Sequence, residues 1–121
     1  TMPVPPDADT LTDAQYQQRT DAVLGAIETA VDRWLQQDVI DIDPQRTGGL
    51  LELEFPVGGR IVINTQPPLQ ELWLASPAQA HHFRCCGGRW LDTKDGREFF
   101  EVLSAEASQL AGQPLRFSAA A

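Results

Sequence analysis

The spacing of apolar residues changes once along this chain, and that change constrains the fold more than any other feature. Between residues 13 and 36 the apolar side chains recur at steps of three, four and seven, which is the spacing of one helix face. Thr12 and Gln15 have the spacing of a capping box, so we predict that the helix begins at residue 13. From residue 39 onward apolar and polar residues alternate, which is the period of a β-strand.

Six short segments of this second kind follow, separated by loops of hairpin length. We predict strands at residues 39–43, 50–55, 60–64, 69–75, 80–85 and 89–92, with a turn at 44–49. A second amphipathic helix begins near Phe99 and ends at Gly112 and Pro114. Short connections favour antiparallel pairing, and two helices can cover one side of a sheet. The predicted fold class is α+β, a two-layer α-β sandwich with two helices on one face of an antiparallel sheet of about six strands.

The two ends of the chain differ from this middle part. Residues 1–11 include three prolines and no apolar period, so we predict a disordered leader. Residues 12–118 are predicted to form a single domain, with Leu115 to Phe117 packed back on the core. No apolar run approaches the ~20 residues of a membrane span, and residues 1–10 lack the apolar segment of a signal peptide. We therefore expect a cytoplasmic protein without a membrane partner.

Negative charge is concentrated in the first third of the sequence. The 121 residues include 9 Lys and Arg against 17 Asp and Glu, a net charge of -8. Residues 1–43 hold nine of the acids and two of the bases, a balance of -7. Such a chain lacks the cations that a free-standing nucleic-acid binder places against phosphate. The charge favours a cation or a basic protein surface as the partner.

Six of these carboxylates can lie on one surface, which we call the acidic ridge. At ~100° per residue, three of them share one stripe of the first helix, and two more project outward from the predicted strand 39–43. Hard cations prefer such oxygen ligands, although no histidine accompanies them as in a tight di-iron site. The alternative is a solvated helix face beside a charged edge strand that blocks aggregation. The ridge consists of Asp21, Glu28, Asp32, Asp38, Asp41 and Asp43.

Trp73 is predicted to lie on the open face of the sheet, because Leu72 and Leu74 face the core. Tryptophan is strongly enriched in interface hot spots, which makes this position a candidate for partner binding. Asn64 should share that side, and Gln66 follows it closely. The alternative is a surface tryptophan half-covered by a loop.

The pairs His81-His82 and Cys85-Cys86 contain ligand types for soft metals, but adjacent strand residues point to opposite faces. At most one histidine and one cysteine would converge, so we predict a plain hairpin, in which an exposed thiol is allowed, and no zinc site. A disulfide between adjacent cysteines would be strained. No nucleophile elbow, catalytic triad order or phosphate loop occurs in the sequence, so we do not expect an enzyme.

Residues 63–77, which read Ile-Asn-Thr-Gln-Pro-Pro-Leu-Gln-Glu-Leu-Trp-Leu-Ala-Ser-Pro, resemble the signature segment of the frataxin family. The acidic first helix, Asp-Ile-Asp at 41–43, Gly-Gly-Leu-Leu at 48–51, Phe83, Trp90 and Asp95-Gly96 agree in the same order. The similarity covers about residues 13–117 and is closest to the bacterial branch of the family.

This resemblance implies the α-β sandwich and a role in iron–sulfur cluster assembly. It implies that the acidic ridge binds iron, Fe²⁺ or Fe³⁺, weakly and without an organic cofactor. It also implies a cysteine desulfurase and a scaffold protein as partners, contacted through Asn64, Gln66 and Trp73. Without metal the protein would be a monomer, and iron could drive it into an oligomer.

Two departures from the family pattern bear on these roles. The ridge is thinner than in many relatives, because Thr29, Arg33, Gln36 and Gln37 lie at or near positions that are often acidic. Thr65 lies where many members have a basic residue. Two other hypotheses therefore stay open: a metal-independent adaptor that binds proteins by charge, and, less favoured, a weak ferroxidase.

Overall fold

The first helix begins and ends where the spacing predicts. The computed structural model describes residues 8–119, and its helix α1 spans Asp13–Gln36. The capping box is present: the Gln15 N–H donates to Thr12 Oγ1 at 3.1 Å, and the Thr12 N–H donates to Gln15 Oε1 at 2.9 Å. These two bonds satisfy backbone donors that a helix start leaves without an internal partner.

Six strands form one antiparallel sheet in which each strand pairs with the next. They are β1 (Asp43–Thr47), β2 (Leu50–Glu54), β3 (Arg60–Gln66), β4 (Glu71–Ala75), β5 (Ala80–Cys86) and β6 (Arg89–Asp92), in the spatial order β1-β2-β3-β4-β5-β6. Helix α2 spans Phe99–Ala111 and ends at Gly112, which has φ +69°. This helix-sheet-helix order confirms the predicted fold class.

One face of the sheet is covered and the other is open. Leu51, Ile63 and Leu74 lie in register across β2, β3 and β4, and all three are buried with the apolar faces of both helices. Asn64 and Trp73, which alternate with these residues along β3 and β4, point to the opposite face and are half-buried. Helix α1 contacts the β1 edge and α2 contacts β6 at the other edge. The core therefore lies between the helices and a single sheet face.

The first predicted strand is wrong. Residues 39–42 form no strand, and β1 occupies residues 43–47, of which 44–47 were predicted to form part of a turn. Ile42 is fully buried and Ile40 half-buried, so their alternation reflects core contact by a loop. All five residues of β1 are exposed, so burial of side chains does not stabilise this strand. Its backbone pairing with β2 does. Pro44 is tolerated because an edge strand leaves one side of its backbone without a partner strand.

The other boundaries need smaller corrections. The predicted strand 69–75 begins only at Glu71, because Pro67–Leu69 forms a short 3₁₀ helix. The predicted packing of the tail is confirmed, since Leu115 and Phe117 are buried and the Phe117 ring lies edge-on to Trp34 at 4.9 Å between centroids. Within residues 8–119, no helix is both long and apolar enough to cross a membrane.

The N-terminal residues next to the helix make specific contacts. Residues 1–7 of the predicted leader lie outside the described residues. The Asp9 carboxylate accepts the N–H groups of Gly87 and Gly88 at 2.9 and 3.0 Å, and Gln70 Nε2 donates to the Leu11 carbonyl at 2.9 Å. The two backbone donors hold the pKa of Asp9 below its usual range. Residues 9–11 thus pack on the domain, in contrast to the leader predicted there.

Candidate functional site: an acidic edge and an open sheet face

The helical part of the acidic ridge is paired with a basic side chain of the same protein, Arg46. Arg46 Nη1 lies 2.6 Å from Glu28 Oε1, and Arg46 Nη2 lies 3.1 Å from Asp21 Oδ1. Asp32, the third carboxylate of the stripe, is exposed and accepts a hydrogen bond from Gln36 Nε2 at 2.9 Å. One guanidinium therefore bridges two of the six predicted ridge residues.

The register of β1 explains why Arg46 reaches the helix. Arg46 lies opposite Leu51, whose side chain faces the helix layer, so the Arg46 side chain leaves the sheet on the same side. Because β1 is the edge strand beside α1, that side chain meets the acidic stripe. The turn predicted at residues 44–49 includes Arg46, so the sequence pattern did not indicate this contact.

The remaining three ridge residues follow the stripe in the chain, from the end of α1 to the first residue of β1. Asp38 follows α1 in the left-handed conformation, with φ +60°, and Asp41 is exposed in the loop before β1. Asp43 begins β1 opposite Glu54, on the open face of the sheet. Glu52 lies on that same face, 3.9 Å from the guanidinium of Arg60. The acidic residues thus wrap around the β1 edge from the helix side to the open side.

The ridge offers charge without a preformed metal centre. Within residues 8–119, no three His, Cys, Asp or Glu side chains are arranged so that they could hold one metal ion. Five of the six ridge residues are exposed and Glu28 is half-buried. Carboxylates in this state can bind a cation only by rearranging, which favours loose and exchangeable binding over a rigid coordination shell.

Asn64, Gln66 and Trp73 lie together on the open face, as the alternation predicts. Two rows cross strands β3, β4 and β5: Asn64, Trp73 and His82 lie in register in one, and Gln66, Glu71 and Arg84 lie in register in the other. We call these six residues the docking patch. The Trp73 and His82 rings are stacked, with centroids 4.0 Å apart and planes 6° apart.

Glu71 organises this docking patch. Its carboxylate accepts a hydrogen bond from Trp73 Nε1 at 2.8 Å and another from Arg84 Nε at 3.0 Å. His82 Nδ1 lies 3.9 Å from the same carboxylate. Glu71 is only 6% exposed although it lies on the open face. The tryptophan is therefore fixed by a stacked ring and a buried carboxylate.

His81 points to the other side of the sheet and joins a separate buried group. Its Nδ1 lies 3.0 Å from Asp92 Oδ2, and its Nε2 lies 3.4 Å from Glu106 Oε1. Asp92 also accepts the N–H groups of Lys94 and Asp95. Burial alone would raise the pKa of Asp92, but these donors and His81 together lower it. This group lies under α2 and is remote from the docking patch face.

Neither cysteine provides the exposed thiol that the hairpin interpretation allowed. Cys85 and Cys86 are 2% and 5% exposed, and they are not joined by a disulfide. Cys85 Sγ lies 3.3 Å from Arg19 Nη1, and burial raises the pKa of this thiol. A buried thiol with a raised pKa is a poor nucleophile and a poor metal ligand at neutral pH.

Comparison with known proteins agrees with this arrangement of two helices and a six-strand meander. The family model described as "Frataxin-like domain" matches residues 9–113. The chain belongs to the frataxin family. The resemblance seen in residues 63–77 is thereby confirmed.

Known relatives agree with this assignment. A protein of Variovorax paradoxus (strain S110) named "Iron-sulfur cluster assembly protein CyaY" is 48% identical over 110 residues, which cover 91% of this chain and 100% of that protein. The solved frataxin of Psychromonas ingrahamii has a TM-score of 0.80 at 30% identity and covers 89% of this chain and 99% of its own. A trimeric yeast frataxin, described as complexed with ferrous, has a TM-score of 0.62 at 27% identity, covering 89% and 93%.

Proposed function

We propose that this chain is an iron-binding protein of iron–sulfur cluster assembly, which binds Fe²⁺ or Fe³⁺ weakly on the acidic ridge. The observation that carries the proposal is the exposed set of carboxylates around the α1–β1 edge in a member of the frataxin family. The name of the Variovorax relative, an iron–sulfur cluster assembly protein, supports the assembly role. The description of the yeast trimer supports an interaction with ferrous iron.

We further propose that the protein regulates a complex of cysteine desulfurase and scaffold protein. The acidic ridge would attract a basic surface of that complex and raise the rate of encounter. Asn64, Gln66 and Trp73 would then add short-range contacts, because the flat Trp73–His82 stack offers an apolar surface with amides beside it. In this role the protein is not an enzyme. It is a monomer without metal, and iron can drive oligomer formation.

Binding to the desulfurase–scaffold complex, measured by calorimetry with Fe²⁺ and with a chelator under anaerobic conditions, tests this function. We expect binding in both conditions and tighter binding with Fe²⁺. Trp73→Ala should weaken binding at least tenfold, since a central tryptophan commonly contributes more than 2 kcal/mol. The matched control is Trp34→Phe on the buried face of α1, which leaves the docking patch intact. Unchanged binding by Trp73→Ala would contradict the assignment of the docking patch.

A second candidate function is a metal-independent adaptor in the same machinery. The observation that favours it is the ion pairing of Arg46 with Asp21 and Glu28, which occupies two of the ridge carboxylates with an internal cation. The adaptor predicts that Asp32→Lys with Asp41→Lys abolishes binding to the complex, whereas a chelator leaves binding unchanged. Tighter complex formation with Fe²⁺ than with the chelator would contradict the adaptor and favour the iron-binding function.

A further inference from the structure

The segment before α1 is held on the domain by two anchor residues. Asp9 binds the β5–β6 hairpin, and both residues next to it in the chain are exposed. Leu11 is half-buried against the core, and its carbonyl accepts a hydrogen bond from Gln70 Nε2 at 2.9 Å. We call residues 9–11 the strap. Its attachment to the hairpin depends on Asp9.

The Asp9 side chain lies in a cradle of backbone donors. Gly87 and Gly88 form the turn between β5 and β6, with φ +61° and +79°, and their N–H groups lie 2.9 and 3.0 Å from the two carboxylate oxygens. Successive N–H groups in a turn form a concave site for an anion. Arg19 Nη1 adds a positive charge 3.7 Å from Oδ2. The negative charge of Asp9 therefore strengthens the attachment, because hydrogen bonds to an ionised group are roughly twice as strong as neutral ones.

The strap lies directly over the thiol of Cys85. The Asp9 N–H donates to the Cys85 carbonyl at 2.7 Å, and Cys85 Sγ donates to Asp9 Oδ2 at 3.5 Å. Cys85 is 2% exposed, yet it lines a surface pocket together with residues 8, 9 and 11. Burial raises the pKa of this thiol, and the hydrogen bond to Asp9 acts in the same direction, whereas Arg19 lowers it. The closed strap thus shields the thiol from solvent and disfavours its thiolate.

The elements on both sides of the strap are complete without it. Helix α1 satisfies its first backbone donors through its own capping box, and the β5–β6 hairpin is closed by its own strand pairing. Gly87 and Gly88 are exposed, so water can replace the Asp9 carboxylate at their N–H groups. Segments with few buried apolar contacts open locally at a small fraction of the free energy of global unfolding. Release of the strap therefore does not require the domain to unfold.

We propose that the strap opens and closes on the β5–β6 hairpin as a local unit, with Asp9 as its latch, and that the closed strap keeps thiol-reactive molecules away from Cys85. In the open form the Asp9 carboxylate has left the thiol, while Arg19 remains beside it on α1. A guanidinium next to an accessible thiol favours the thiolate, which is the nucleophile. Cys85 is thus a modification site for small disulfides that displacement of the strap makes available.

Reaction of the full chain with dithiobis(nitrobenzoate), a small disulfide, tests this device. The Cys85 thiolate attacks one sulfur of the reagent, a mixed disulfide forms, and one thionitrobenzoate anion leaves and is measured by its absorbance. Every protein carries Cys86→Ala, so that the anion released reports Cys85. Asp9→Asn keeps the size of the latch but removes its charge. We expect it to react at least about tenfold faster than the Cys86→Ala parent, because the open fraction rises.

The matched control is Asp13→Asn, which removes an equal charge at an exposed position in the first turn of α1 and should react at the rate of the parent. Hydrogen exchange measured by NMR locates the opening. In Asp9→Asn the N–H groups of Gly87 and Gly88 should exchange about tenfold faster, whereas those of the fully buried Leu24 and Ile63 should keep their protection.

Three results would overturn the proposal. Equal reaction rates for Asp9→Asn and its parent would show that Asp9 is not the latch. Faster reaction with an equal loss of protection at Leu24 and Ile63 would show global unfolding instead of local opening. Reaction of the parent as fast as that of the urea-unfolded chain would show that the strap does not cover the thiol.

Discussion

The two halves of the sheet, from β1 to β3 and from β4 to β6, carry their carboxylates in opposite ways. At the β1 edge, the ridge carboxylates are mostly exposed, and those with hydrogen-bond partners contact the long side chains of Arg46 and of glutamines. Toward the β6 edge, Glu71 and Asp92 are 6% and 3% exposed, and each accepts at least two hydrogen bonds. The carboxylates of the first region carry exposed negative charge and are held in place by few contacts. Those of the second region are held in place by hydrogen bonds that also compensate their charge.

This difference bears on what each region can do. Exposed carboxylates that repel one another gain by binding a cation or a basic surface, but they release it easily. A buried carboxylate that is hydrogen-bonded to an aromatic ring holds the surface around that ring in one conformation. Loss of its hydrogen-bond partners destabilises the protein, because the buried charge is then uncompensated. We therefore expect substitutions toward β6 to change stability, and substitutions at the β1 edge to change binding.

Glu71→Ala should have the largest effect on stability. It removes the acceptor for Trp73 Nε1 and for Arg84 Nε, so we expect the free energy of unfolding to fall by about 3 kcal/mol. Urea denaturation measures this change. The control Glu52→Ala removes a carboxylate whose nearest cation is 3.9 Å away, and it should cost less than about 1 kcal/mol. Equal effects of both variants would refute the contrast between the two halves of the sheet.

Asp92→Asn should destabilise the protein by about 1–2 kcal/mol near neutral pH, because it weakens the bonds to His81 and to two backbone N–H groups. The pKa of Asp92 is lower in the folded protein than its ordinary value of 3.8. The charged Asp92 therefore contributes its full stability at pH values well above 3.8. This contribution is lost as the pH falls through the pKa of Asp92 in the folded protein. Urea midpoints measured downward from pH 6 should converge for wild type and variant at low pH. A constant difference would contradict this.

Arg46→Ala should tighten Fe²⁺ binding about fivefold, because exposed ion pairs of the kind it makes with Asp21 and Glu28 contribute roughly 0.2–1 kcal/mol each. Anaerobic calorimetry with Fe²⁺ measures the change. The matched control is Arg60→Ala on β3, which removes an equal charge away from the helical stripe. If the two variants bind Fe²⁺ alike, net charge and not the release of Asp21 and Glu28 governs affinity.

His82→Ala should have the smallest effect on folding, about 0.5–1 kcal/mol, because it removes a ring stacked on a half-exposed Trp73 and a contact of 3.9 Å to the Glu71 carboxylate. Binding to the desulfurase–scaffold complex should fall by less than in Trp73→Ala. The variant His82→Phe keeps a stacking ring and should restore most of the lost affinity. Failure of that rescue would show that the stack is not what holds Trp73 for docking.

The sequence predicted local secondary structure well, but it predicted contacts between distant parts of the chain only in some places. Helix α1 was predicted over its full length, since capping and spacing are local properties of residues 12–36. Strand β1 was placed too early because its five residues are exposed and include Pro44, so no apolar alternation marks it. This strand depends on backbone pairing with β2, which the spacing of apolar residues along the sequence does not reveal.

The candidate site shows the same limit. The open-face position of Asn64 and Trp73 followed from alternation alone. The pairing of Arg46 with Asp21 and Glu28 could not be predicted, because it requires the register of β1 and its position beside α1. The burial of Glu71 depends on Trp73 and on Arg84 from the neighbouring strand, although its place two residues before Trp73 already put both on one face.

An anaerobic titration with Fe²⁺, followed by the broadening of amide signals in ¹H–¹⁵N spectra, tests the iron-binding role of the β1 edge most directly. Paramagnetic Fe²⁺ broadens the signals of nearby nuclei, so each residue reports its distance from the metal. We predict that signals of residues 21–43 broaden first, while those of Trp73, His82 and Asp92 persist. Broadening centred first on residues 81–86 would contradict the account.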